Sequence, residues 1–77
     1  MSHETVVELV REVKRWYAEE LIKERRAAAP DTARLETLKE GLAACAADQE
    51  ALRDADEEQV AGIEARYAAR MKELKGQ

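Results

Sequence analysis

At 77 residues the chain has room for one helical domain, residues 1–77, with a core too small to enclose a sizeable substrate cleft. Charged residues make up 39% and aromatics 4%, with 15 alanines, no phenylalanine and no asparagine; this is a long-helix profile rather than a disordered one, because hydrophobic residues still reach 45%. The formal charge of −4 argues against non-specific nucleic-acid binding, and no apolar run approaches the roughly 18 residues of a membrane span.

The first predicted helix covers about residues 3–28. Ser2 suits its N-cap, and Val6, Val10, Val13, Tyr17 and Leu21 recur at helical spacing. A second stripe of Val7, Leu9, Trp16 and Ile22 widens the apolar face, so this helix is expected to touch two neighbours or a partner. Pro30 breaks the pattern and Asp31 caps the next helix, which returns antiparallel.

That second helix, about 32–53, places Leu35, Leu38, Leu42, Cys45, Gln49 and Leu52 at heptad a and d positions. The phase then slips between Asp54 and Gln59, and two continuations compete. In the favoured one the chain turns and a third helix runs over about 57–75, because Asp56 and Gln59 form a capping-box-like pair and Glu57 and Glu58 suit a helix start. In the alternative, a coiled-coil hairpin, one long second helix passes through a stutter, consistent with the lack of Gly or Pro there. The fold class is therefore all-α, an antiparallel helical bundle. Folding back at Pro30 sets Trp16 and Tyr17 against Ala43, Ala44 and Cys45, so large side chains are expected to fill the hollow left by GLAACAAD.

Little in the residues points to catalysis. His3 is the only histidine, and HETVV lacks the second histidine of a zinc motif. Cys45 reads as a small buried thiol, cannot form an internal disulfide, and suits a reducing compartment. The isolated glycines build no phosphate loop. No catalytic, cofactor-binding or metal residues are assigned, and no cofactor is expected. Two charge clusters remain as contact candidates: Lys23, Arg25 and Arg26 near the end of the first helix, and Asp54, Asp56, Glu57 and Glu58 near the second turn. With Val7, Leu9 and Ile22 they make up the candidate interaction surface.

One family shares the outline. Arg11 with LIKERR at 21–26 and DEEQVAGI at 56–63 loosely resembles the first and third helices of all-helical chorismate mutases. The likeness implies a three-helix enzyme with a basic site, but the first helix is short for the family's later lysine and the second lacks its Arg-Glu pair. No site residue is carried over. The expected function is non-catalytic: protein–protein contact as a homo-oligomer, a dimer above all, or as an accessory subunit. The alternatives are a nucleic-acid-associated regulator using Lys23, Arg25, Arg26, Arg66 and Arg70, or a small helical enzyme. With no signal-peptide core after Met1 the chain reads as cytoplasmic, and its Ala-, Arg- and Glu-rich composition suits a bacterial source.

Overall fold

The computed structural model describes residues 2–76 and contains three helices in the order α1 (His3–Arg26), α2 (Thr32–Leu52) and α3 (Glu57–Lys75), with no strand among the described residues. Each start has a chemical cause. Ser2 Oγ accepts from the Thr5 amide, and Asp31 accepts from the amides of Ala33 and Arg34. Asp56 accepts from the Gln59 amide at 2.8 Å while the Gln59 side chain accepts from the Asp56 amide at 2.9 Å, a complete capping box. That reciprocal pair ends the competition between the two continuations: the chain turns at residues 53–56, and there is no hairpin with one long second helix. The boundaries lie within two residues of the sequence reading, α1 stopping at Arg26 instead of near 28.

The helices run up, down and up. His3 Nε2 meets the Leu52 carbonyl at 2.5 Å and shares a hollow with Glu57, so the start of α1 lies beside the end of α2 and the start of α3. At the opposite end Arg34 pairs with Glu20 and Glu24, each at 3.2 Å. α1 is the hub: α2 packs along it most extensively, α3 less so, and α2 and α3 barely touch. The Cα envelope is accordingly flat, 45 × 24 × 16 Å.

The core follows from the α1 stripe. Val6, Val10, Val13, Tyr17 and Leu21 are buried, joined by Leu38, Cys45 and Leu52 of α2 and Ile63 and Tyr67 of α3. The expected packing of Trp16 into the alanine run is not what forms. Trp16 is half-buried, in a depression with Met71 and Leu74 of α3, and Ala43, Ala44, Ala46 and Ala47 are exposed. Tyr17 alone faces α2, and it lies against Gly41, where an added Cβ would sit 2.4 Å from the ring. Trp16, one residue earlier, is rotated by about 100° towards α3. The two rings meet edge to face, with centroids 5.3 Å apart.

Candidate functional site

Three places carry unusual side chains. The first is a polar lock where α2 meets α3. Asp48 accepts from the Tyr67 hydroxyl at 2.5 Å and from both terminal nitrogens of Arg66, at 3.4 and 3.2 Å. The Arg66 guanidinium also stands 6.0 Å from the Tyr67 ring centre. Cys45 lies beside the phenol, buried with a free thiol. These groups border a hollow of about 90 Å³ that Val13, Tyr17, Gly41, Ala44 and Arg70 complete, room for a few waters and no more. Its polar groups are engaged with one another, which makes it a clasp between helices.

The clasp has a pH signature. Burial, then hydrogen bonding to Asp48 and to the Cys45 sulfur, raises the Tyr67 phenol far above its ordinary range. Burial also raises the Cys45 thiol, partly offset by the Tyr67 hydrogen bond. Both groups are neutral when protonated, so above their unfolded values of 9.0 and 10.0 the unfolded chain sheds protons that the folded chain keeps. Their contribution is complete below about pH 9 and falls as pH rises, by up to about 1.4 kcal/mol per pH unit for each group. Urea midpoints measured from pH 8 to 11 are expected to fall more steeply for the wild type than for Tyr67→Phe; equal slopes would show that the phenol is not held protonated.

The second place is the outer side of α1. Trp16, Met71 and Leu74 floor a depression of about 280 Å³, rimmed by Glu12, Arg15, Glu19 and Lys75. Ile22, 47% exposed, is the large hydrophobic side chain that stands clearly in solvent among the described residues. Val7 and Leu9, grouped with Ile22 in the sequence reading, are drawn against the margin of the core.

The third is the pair of charged ends. Lys23, Arg25 and Arg26 close α1, with Lys23 tied to Glu20 at 3.1 Å. Asp54, Asp56, Glu57 and Glu58 gather at the other end, where Asp56 is engaged as a cap and Glu57 and Glu58 occupy the first turn of α3. Of the cations in the nucleic-acid reading, Lys23 is paired with Glu20, Arg66 with Asp48 and Arg70 with Glu73.

Among the described residues no cluster of three or more His, Cys, Asp and Glu side chains is placed to hold a metal ion, and no helix is long and apolar enough to cross a membrane. The lock between Asp48, Arg66 and Tyr67 was missed in the sequence. Its signal, an acid three residues after Cys45 and an Arg-Tyr pair on the last helix, acquires meaning only once the α2/α3 register is known. No protein-family model, curated protein or solved structure matches this chain.

Proposed function

We propose that the chain is a non-catalytic protein-contact module, a homo-oligomer or a small accessory subunit, whose working surface is the outer side of α1. The observation that carries this reading is the half-buried Trp16 in a charge-rimmed depression with Met71 and Leu74 of α3, together with Ile22, which stands exposed further along α1. Tryptophan is enriched among the anchors of protein interfaces, and methionine adapts its shape to a partner. The clasp around Cys45 supports the same reading, since its hollow is small and its polar groups satisfy each other. The free thiol at Cys45 suits a reducing compartment such as the cytoplasm.

With the folded chain as bait in an extract of its source cells, at least one protein is expected to be retained by the wild type and lost with Ile22→Glu. Position 22 is exposed, so the change leaves the core intact. Retention of the same proteins by both baits, or of none by a wild type that also stays monomeric at about 500 μM, would overturn the reading.

A further inference from the structure

The face of α1 opposite the core carries Glu8, Glu12, Arg15, Glu19, Ile22 and Arg26, all exposed. These residues fall within about 40° of a single line along the helix. Several charges of α1 are paired within the chain: Glu8 with Arg11, Glu20 with Lys23 and Arg34, and Glu24 with Arg34. On the outward face Glu12, Arg15, Glu19 and Arg26 make no ion pair among the described residues, although Arg15 lies three residues after Glu12 and four before Glu19. A row of charges of both signs, all but Glu8 uncommitted, with one bare isoleucine among them, has the chemistry of a surface that complements itself.

We infer that the occupant of this face is α1 of a second copy of the same chain, packed antiparallel about a two-fold axis level with Tyr17. The inference rests on the protein-contact reading and names its partner. In this register Arg15 of each copy meets Glu19 of the other, and Glu8 meets Arg26 of the second copy, each pair occurring twice by symmetry. Glu12 comes within a residue of Lys23 of the second copy, and Ile22 lies over the aliphatic stem of Arg11 of the second copy. The charges also exclude the neighbouring arrangements. Sliding by one helical turn in one direction sets Arg15 on its own symmetry mate, and sliding in the other sets Glu19 on its mate. A parallel pair would place every charge on its like. The two Trp16 depressions fall on the same side of the pair, where the ends of the two α3 helices add to the contact.

α1, 24 residues long, spans about 36 Å, so the contact is at the small end of specific interfaces and a weak, concentration-dependent dimer is expected. Exposed ion pairs are weak singly, and their main effect here is to choose the register.

The test is sedimentation equilibrium from about 5 to 500 μM at low and high salt. The wild type is expected to dimerise, more weakly at high salt. Arg15→Glu and Glu19→Arg, each at an exposed position, are expected to weaken the dimer at least tenfold while helical circular dichroism is unchanged. The double variant, which restores opposite signs across the axis, is expected to return to within about threefold of the wild type. A dimer indifferent to both single charge reversals, or a double variant no better than either single one, overturns this register. A chain that stays monomeric at about 500 μM overturns self-pairing altogether. If Ile22→Glu then still abolishes capture of a different protein, the contact reading stands without it; if nothing is captured either, both fall.

Discussion

Leu52→Ala is expected to cost about 2–5 kcal/mol, from lost transfer energy and the cavity left behind. A domain of 77 residues holds roughly 4–12 kcal/mol in all, so the variant should be partly unfolded at moderate temperature. Leu52 is 1% exposed, ends α2, and offers its carbonyl to His3 where all three helices converge. The neighbours that would have to collapse onto the cavity are fixed by the turn at residues 53–56 and by the Asp56 capping box. Leu42→Ala, at a half-buried site, is expected to cost clearly less in urea denaturation followed by helical circular dichroism. A Leu52→Ala midpoint indistinguishable from that of Leu42→Ala would mean that the end of the bundle is not packed as described.

Two glycine-to-alanine exchanges should move stability in opposite directions. Gly41 lies in α2 under the Tyr17 ring, and an added Cβ would stand 2.4, 2.5 and 2.8 Å from three of its carbons. The ring is 8% exposed and braced edge-on by Trp16, so it has little room to yield. The overpacking cost of about 1–3 kcal/mol should exceed the gain of about 1 kcal/mol in helix propensity. At Gly62 in α3 an added Cβ meets nothing within 4 Å, and the propensity gain, about 0.5–1 kcal/mol, should appear undiminished. Thermal melts of the two variants against the wild type check both signs; a stabilised Gly41→Ala would remove the tyrosine from the seam.

Periodicity and caps made most of the fold legible before any coordinates. The spacing of Val6, Val10, Val13, Tyr17 and Leu21 picked out the α1 stripe that is buried, because a helix repeats every 3.6 residues whatever it packs against. Asp56 and Gln59 marked the second turn because capping is a local hydrogen-bond exchange. What escaped depends on rotation about a helix axis. The fold-back at Pro30 placed Tyr17 within two residues of its true neighbour, Gly41, but could not say that Trp16 would turn to α3. The breadth of the alanine run was read as a hollow to be filled, whereas only Cys45 is buried and the alanines around it face outward. Of the candidate contact residues, Ile22 stayed on the surface; Val7 and Leu9 turned to the core margin because α1 serves two neighbours at once.

The thinness of the seam between α2 and α3 makes Cys45 a clock. α3 is held by Ile63 and Tyr67 in the core, by Val60, Met71 and Leu74 packed against it, and by the Tyr67 and Arg66 bonds to Asp48, with little else joining it to α2. An opening of α3 about residues 53–56 that leaves α1 and α2 paired would be cheaper than unfolding the whole chain. Such an opening would uncover the buried thiol, so the rate at which a disulfide reagent reaches Cys45 is expected to count openings of one leaf of the molecule. Loosening the clasp at Asp48 would make that clock run faster without touching the hinge.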